Sequence, residues 1–137
     1  MSPLGDPKIQ RFLDTKEMVV LATIQPDGAP LATAMWFLHD PAALTMISVA
    51  NLQKVRNLRR DPRVSVVAEA GGGGKPVCGV AVEGRAEFLA DGPERHALVE
   101  RFHRKYADLR GYWGGQTMPS DRVMFRILPA RVREWGL

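Results

Sequence analysis

The chain has 137 residues, which is enough for one domain, and we expect residues 1–137 to form a single domain. With 45% hydrophobic and 25% charged residues its composition is that of a globular protein, and its formal charge of +4 suits a small anionic ligand as well as nucleic acid. No apolar run is long enough to span a membrane, the first residues lack a signal-peptide pattern, and the single Cys78 excludes an intramolecular disulfide, so we expect a cytoplasmic protein.

The first fifty residues predict one helix followed by three strands. Asp6 is a favourable N-cap and Pro7 a favourable first helical residue, so the helix should cover residues 6–15. Runs of β-branched and apolar residues predict strands over 18–25, 30–38 and 43–50. The first two strands should form a hairpin, because the intervening segment Pro26-Asp27-Gly28 favours a tight turn.

A second helix is predicted over residues 51–60, with Asn51 as its N-cap and Pro62 just beyond its end. Lys54 would then lie in the first turn, where a cation faces the positive end of the helix dipole. The position becomes favourable when an anion binds the free N–H groups of that turn, and this pattern is typical of a phosphate site.

The second half of the chain predicts three more strands and a third helix. The strands should cover residues 63–70, 77–89 and 122–135, the last one interrupted by Pro129. Between the first two, the run Gly71–Gly74 with Lys75-Pro76 predicts a flexible loop.

The third helix should begin with Asp91 as its cap and Glu94 three residues later, in a variant of the capping box. Residues 107–120 are expected to form an irregular loop. Six strands joined mostly by tight turns, with two or three short helices, predict a mainly β fold of the α+β class and a small closed or split antiparallel barrel.

Several chemistries lack a supporting motif. Cys78 lies in the middle of a predicted strand with no His close in sequence, and no G-x-S-x-G segment is present. The spacing of His39, His96 and His103 matches no metal-ligand motif. The glycine run is not followed by Lys-Ser or Lys-Thr, so it is not a P-loop. We therefore predict neither a catalytic side chain nor a metal site.

A basic run follows the predicted phosphate site and has two interpretations. Five cations stand within ten residues: Lys54, Arg56, Arg59, Arg60 and Arg63. They form either an ordinary solvated helix face or part of the phosphate site. Trp36 and Phe37 favour a ligand site, because adjacent strand residues point to opposite faces. One of the two can fill the core while the other offers an aromatic wall to a planar ligand.

Four segments stand in a familiar order from about Phe12 to Trp135. They are LATIQPDGAPLATAMWF, KVRNLRRDPRVSVV, VEGRAEF and RILPARVREWG, of which the second is the most specific. Together they resemble the pyridoxamine-phosphate-oxidase-like flavoproteins, and most closely their flavin/deazaflavin oxidoreductase branch. The resemblance implies a six-stranded split β-barrel of the FMN-binding type, and a homodimer with the cofactor at the subunit interface.

The resemblance also implies which residues bind the cofactor. Lys54 matches the phosphate-binding lysine of the family. The ring pocket of the family corresponds to Ala34, Met35 and Trp36, and the phosphate side of the site corresponds to Ser48, Ala50 and Asn51. Arg56 and Asn57 match an R-N pair of the family pattern. One departure is Gln53, because many relatives carry a basic residue just before the lysine.

The predicted function is that of an oxidoreductase that uses FMN or the deazaflavin coenzyme F-420 for hydride transfer to or from a small organic substrate. The acidic tail of F-420 would suit extra cations such as Arg56, Arg59 and Arg60, which favours the deazaflavin. An alternative is a non-catalytic carrier of flavin or haem, with His39 as the first candidate haem ligand. Nucleic-acid binding through the Arg-rich helix is the third hypothesis, although no known motif or interleaved aromatic–basic surface accompanies it.

Overall fold

The computed structural model describes residues 3–137; Met1 and Ser2, which belong to the segment considered for a signal peptide, lie outside the described residues. Its strands are β1 (Met18–Ile24), β2 (Pro30–Trp36), β3 (Leu38–His39), β4 (Leu44–Val49), β5 (Arg63–Gly72), β6 (Lys75–Leu89) and β7 (Arg122–Trp135). They form one sheet in the order β2-β1-β5-β6-β7-β4-β3, in which all neighbours are antiparallel. The mainly β, antiparallel fold class is therefore confirmed.

The helices lie before and between the strands. They are α1 (Pro7–Asp14), α2 (Gln53–Arg60), α3 (Pro93–Lys105) and α4 (Leu109–Trp113), and a 3-10 turn at Pro3–Gly5 precedes them. Asp6 caps α1 as predicted, since its carboxylate accepts a hydrogen bond of 3.0 Å from the Lys8 N–H. Among residues 3–137 no helix is long and apolar enough to cross a membrane.

The sheet has seven strands, and the prediction of six is wrong because the segment 30–38 is broken at Phe37. The Phe37 N–H donates to the Tyr106 hydroxyl at 2.9 Å, and its carbonyl accepts from Lys105 Nζ at 2.8 Å. Both backbone groups are thereby withdrawn from strand pairing. β2 and β3 are the two edges of the sheet and only Phe37 separates them along the chain, so the sheet is curled.

Two predicted helix caps are wrong. The residue before α2 is Leu52, which makes no side-chain capping bond, so Asn51 is not the N-cap. The residue before α3 is Gly92, and the Asp91 carboxylate instead lies 2.8 Å from His96 Nε2. The predicted irregular loop 107–120 is also corrected, because it contains the short helix α4.

The glycine run forms a tight hairpin and not a flexible loop. β5 extends to Gly72 and β6 begins at Lys75, so Gly73 and Gly74 alone form the turn. Their φ angles of +57° and +87° are those of a two-residue turn that matches the twist of the strands and favours glycine. β5 thus includes Gly71 and Gly72, which the sequence prediction had placed in a loop.

A bulge lies at Gly84, between β6 and β7. Glu83 pairs with Arg131 and Gly84 pairs with Pro129, so the strand continues past the proline with one residue unpaired. β7 is therefore continuous over Arg122–Trp135, contrary to the predicted interruption.

The core has two parts, one on the concave face of the sheet and one under α3. In the first, Leu21, Val66 and Val82 form a row of directly paired, buried residues across three strands. In the second, Phe102 and Leu109 pack with Met124 of β7. This second cluster holds α3 and α4 against the ends of β2 and β4, and a cavity lies between these elements.

Candidate functional site

A cavity of about 350 Å³ lies where the ends of β2 and β4 meet the start of α2 and the residues of α4. Its wall is mostly apolar and aromatic, with two cations. The lining residues are Met18, Ala34, Met35, Trp36, Ile47, Ser48, Val49, Leu52, Lys54, Phe102, Leu109, Tyr112, Trp113 and Arg122. Such a combination of apolar walls and few polar groups is typical of small-molecule sites.

Lys54 is half-buried in this wall, and its amine lies beside a sulfur atom. Its Nζ lies 3.1 Å from the Met35 thioether sulfur, which is a weak acceptor. Among the described residues no carboxylate lies within 4 Å of the amine. Burial lowers the pKa of Lys54, because the charged form loses hydration without gaining an ion pair. An anionic group in the cavity would restore that lost stabilisation.

The start of α2 borders the same cavity, which Leu52 and Lys54 line. Leu52 supplies no side-chain cap, so the first-turn N–H groups of Gln53 and Lys54 have no helical acceptor. The turn is held from outside by Arg56, which donates to the Asn51 carbonyl and, at 2.8 Å, to Gln53 Oε1. Free N–H groups next to a lysine are the donor set of a phosphate site.

Arg122 adds a second cation that the sequence reasoning missed. It pairs with Val49 in the β4–β7 ladder, which places the start of the last strand beside the end of β4. Its Nη1 lies 2.5 Å from Asp121 Oδ1, and the Asp121 carbonyl accepts a 2.8 Å bond from the Ala50 N–H. No local motif marks this residue, because only the strand register brings it to the cavity.

The aromatic wall is built from β2, α3 and α4. Trp36 stacks on Tyr106 with 4.3 Å between ring centroids and 9° between planes, and it contacts Tyr112 edge-on at 5.9 Å. Phe37 is fully buried on the opposite side. As predicted, one ring of the pair fills the core, which is Phe37, and the other, Trp36, forms a wall of the cavity.

Five of the nine predicted site residues line this cavity. They are Ala34, Met35, Trp36, Ser48 and Lys54. Tyr112 and Trp113, which lie in the segment 107–120 that was predicted to be an irregular loop, line it too.

The other four predicted site residues lie outside the cavity lining. Asn57 is fully buried and donates through Nδ2 to Thr23 Oγ1 at 3.0 Å, so it ties α2 to β1. Arg56 is exposed and braces the turn before α2, where it binds the carbonyl of Asn51. Ala50 is half-exposed in that same turn. These positions support the fold around Lys54.

The remaining cations of the basic run are engaged away from the cavity. Arg59 lies over the Phe88 ring, with 4.1 Å from its guanidinium carbon to the centroid. Arg60 donates to the Ile24 carbonyl, and Arg63 forms a two-bond pair with Asp61 whose closest distance is 2.7 Å. This ion pair holds the pKa of Asp61 at about 2. Most of the run therefore fastens α2 and its exit to the sheet.

Neither histidine chemistry nor metal chemistry finds a site in the described residues. His39 contacts Gln10 Oε1 through Nδ1 at 2.8 Å and Asp14 Oδ1 through Nε2 at 2.7 Å, so both ring nitrogens have protein partners. Within residues 3–137 no group of three or more His, Cys, Asp or Glu side chains could hold a metal ion.

A larger groove of about 1240 Å³ runs along α3 and shares Trp113 with the cavity. Its charged groups largely compensate one another, since Asp91 lies 2.8 Å from His96 and 3.7 Å from Arg95. The cavity at Lys54 is the better candidate, because the Lys54 amine has no ion pair among the described residues.

Several solved structures are similar to this chain. A conserved hypothetical protein from Mycobacterium tuberculosis is 37% identical with a TM-score of 0.76, and the match covers 98% of this chain and 84% of that one. A FAD-binding protein from Mesorhizobium loti is 25% identical with a TM-score of 0.76, covering 93% and 89%. A protein named F420 reductase is 26% identical with a TM-score of 0.62, covering 85% and 88%.

Haem binders also occur among the similar structures. A haem-binding protein from Mycobacterium smegmatis is 25% identical with a TM-score of 0.76, and the match covers 90% of this chain but 50% of that one. The fold therefore accommodates flavin-type and haem ligands in different proteins.

The model of the pyridoxamine 5′-phosphate oxidase family matches residues 6–136, which is nearly the whole of the chain. Together with the antiparallel sheet and the cavity at the start of α2, this match shows that the chain belongs to the pyridoxamine 5′-phosphate oxidase family.

Proposed function

We propose that the cavity at Lys54 binds the phosphate and ring system of FMN or coenzyme F-420, and that the protein is an oxidoreductase acting on a small organic substrate. The observation that carries this proposal is the half-buried Lys54 amine, which has a thioether but no carboxylate beside it. The free N–H groups at the start of α2 support the same assignment.

The residues present fit such a cofactor. Lys54 and the first turn of α2 would hold the phosphate, and Arg122 would add a second cation at the same end of β4. Trp36, held in place by its stack on Tyr106, would form a flat wall for the ring system. The cofactor itself supplies the hydride chemistry when bound, while these residues bind it, orient it and exclude water.

The preference for F-420 depended on cations that could bind its acidic tail, but those cations lie outside the cavity. Arg56, Arg59 and Arg60 are all engaged with protein groups outside the cavity. Arg122 does line the cavity, and its guanidinium is paired with Asp121. The names of similar proteins support both a flavin and F-420, so the choice between them is left to a binding experiment.

We also propose that the protein forms a homodimer whose second copy completes the cofactor site. The convex face of the sheet carries the directly paired row Ala34, Val20, Val67 and Ala81 across four strands, and all four residues are apolar. Val20 is 40% exposed and the neighbouring Met18 is 45% exposed. The cavity continues onto this face, because Met18 and Ala34 belong to both. A second copy would cover this apolar face and the open side of the cavity together.

The central test is replacement of Lys54 by Met, which keeps the length of the side chain and removes its charge. We expect the dissociation constants of FMN or F-420 to rise at least tenfold, about 1.4 kcal/mol, because the phosphate loses its ion pair. Titration of the purified protein with each cofactor, followed by absorbance and fluorescence, measures both constants.

Lys75→Met is the matched control, since Lys75 is exposed at the glycine hairpin. Unchanged affinity in Lys54→Met would contradict the phosphate assignment. The enzyme proposal is tested separately by turnover with reduced cofactor, and tight cofactor binding without any turnover would favour a carrier. Tight binding of haem in place of either cofactor would overturn the flavin-type proposal.

A further inference from the structure

A second cavity, of about 340 Å³, lies between the C-terminal half of α3, the end of α1 and β3. Its lining residues are Asp14, Leu38, His39, Arg101, Arg104 and Lys105, and we call it the α3 basic pocket. It shares none of its lining residues with the cavity at Lys54.

The three cations of the α3 basic pocket share one face of α3, because residues three and four apart on a helix are neighbours. Lys105 extends from this face toward β3, where its Nζ donates to the Phe37 carbonyl at 2.8 Å and lies 3.8 Å from the Phe37 ring centroid. Arg101 is fixed in a similar way, since its Nη2 donates to the His39 carbonyl at 3.1 Å. Two cations are thus held in place by neutral acceptors.

The charge in this pocket is not balanced. Among the described residues no carboxylate lies within 4 Å of the cationic nitrogens of Arg101, Arg104 or Lys105. The one acidic residue in the lining is Asp14, and its carboxylate is bound to His39 Nε2 at 2.7 Å. Arg101 keeps guanidinium donors beyond the one that it uses.

Lys105 also loses hydration in this pocket. Burial lowers the pKa of this amine to about 8, outweighing the opposite effect of the Asp14 and Glu17 carboxylates, while Arg101 lowers it further. A bound anion would stabilise the ammonium form and compensate the lost hydration.

We propose that the α3 basic pocket is a second anion site, which binds a phosphate group, either free or as the monoester of a small molecule. Two guanidinium groups and one ammonium group approach the cavity from different positions on α3. A phosphate offers three terminal oxygens to such separate donors, whereas a carboxylate offers two oxygens in one plane and is matched by a single arginine.

The experiment is a titration of the full-length, ¹⁵N-labelled protein with inorganic phosphate, followed by amide chemical shifts at constant ionic strength with chloride as the balancing anion. A parallel titration with phenyl phosphate distinguishes free phosphate from a monoester. We expect saturable shifts at residues 38–39 and 101–105, and a dissociation constant raised at least tenfold by Lys105→Met and by Arg104→Gln.

Two control variants keep this outcome separate from the proposed cofactor site. Lys54→Met removes the cation of the other cavity, and Arg131→Gln removes an exposed cation on β7, and neither should change the shifts at residues 101–105. Arg104 is exposed, so its variant tests the proposal even if Lys105→Met does not fold. Shifts that fail to saturate, or that persist unchanged in Arg104→Gln, would overturn the proposal. So would their loss in Lys54→Met.

Discussion

At the scale of single residues, the charge of a side chain does not show whether it belongs to the site. The groups that the charged atom contacts distinguish a binding cation from a structural one. Lys54 and Arg60 belong to the same short helix. Lys54 faces an apolar cavity beside a thioether, whereas Arg60 donates to the backbone carbonyl of Ile24. A cation whose hydration is lost without a compensating carboxylate is the one that an anionic ligand can stabilise.

Asn57 provides a test of the distinction between a binding residue and a structural one. Its amide is fully buried and bonded to Thr23, so Asn57→Ala leaves the Thr23 hydroxyl without that donor. We expect the free energy of unfolding in urea to fall by about 1–3 kcal/mol, with cofactor affinity of the folded protein almost unchanged.

Asn51→Ala is the matched control for this substitution, because Asn51 is exposed and its side chain does not cap α2. Its stability should change by less than about 0.5 kcal/mol. A large loss of cofactor affinity in folded Asn57→Ala, without loss of stability, would return Asn57 to the binding site.

At the scale of elements, two local interruptions give the sheet its shape. The break at Phe37 separates β2 from β3, and Tyr106 and Lys105 bind the freed backbone groups. The bulge at Gly84 offsets β6 against β7 by one residue and lets β7 continue past Pro129. Bulges increase local twist and bend a strand, so the second interruption contributes to the curl of the sheet.

The bulge makes a clear prediction for Gly84→Ala. A Cβ at this position would lie 2.2 Å from the carbonyl oxygen of Leu128, which is backbone and cannot move aside without disturbing the ladder. We expect a loss of about 1–3 kcal/mol in the free energy of unfolding, measured by thermal or urea denaturation.

Gly111→Ala is the matched glycine substitution, since Gly111 lies in α4 with open space around its Cβ position. This variant should be neutral or more stable by up to about 1 kcal/mol, because alanine favours a helix. Equal stability of Gly84→Ala and the parent protein would show that the bulge tolerates a side chain.

At the scale of the whole molecule, the distribution of apolar surface is uneven. The concave face of the sheet is covered by its own curl and by α1, whereas the convex face around β1 and β2 keeps apolar side chains exposed. The cavity at Lys54 continues onto that face. The chain therefore presents both the open cavity at Lys54 and an uncovered sheet face on the same side.

The dimer proposal is tested by replacing Val20 with Lys on this face. We expect the parent protein to sediment as a dimer and Val20→Lys as a monomer, because two lysines would be buried against apolar surface. Cofactor affinity should fall together with dimer formation. Val77→Lys is the control, since Val77 is 67% exposed in β6 near the glycine hairpin. A parent protein that sediments as a monomer would remove the second copy from the proposed site.

The sequence by itself determined most of the element types and the antiparallel class, and it placed Lys54 in the first turn of a helix. These features depend on local signals: strand periodicity, turn residues, and a lysine placed in the first turn of a helix. The same local signals predicted a loop where the structure has the glycine hairpin. Glycine disfavours a strand interior in general, but a two-residue turn with positive φ favours it.

Only the tertiary structure decided which charged residues meet. Arg122 lies at the cavity because of the register of β4 against β7. Asn57 lies outside the cavity, because its side chain binds Thr23. The α3 basic pocket likewise depends on α3 packing over Phe37. Such contacts join residues far apart in the chain, and a local pattern carries no information about the partner. A helix start with an unfavourable cation could be read from sequence, while its surroundings required the fold.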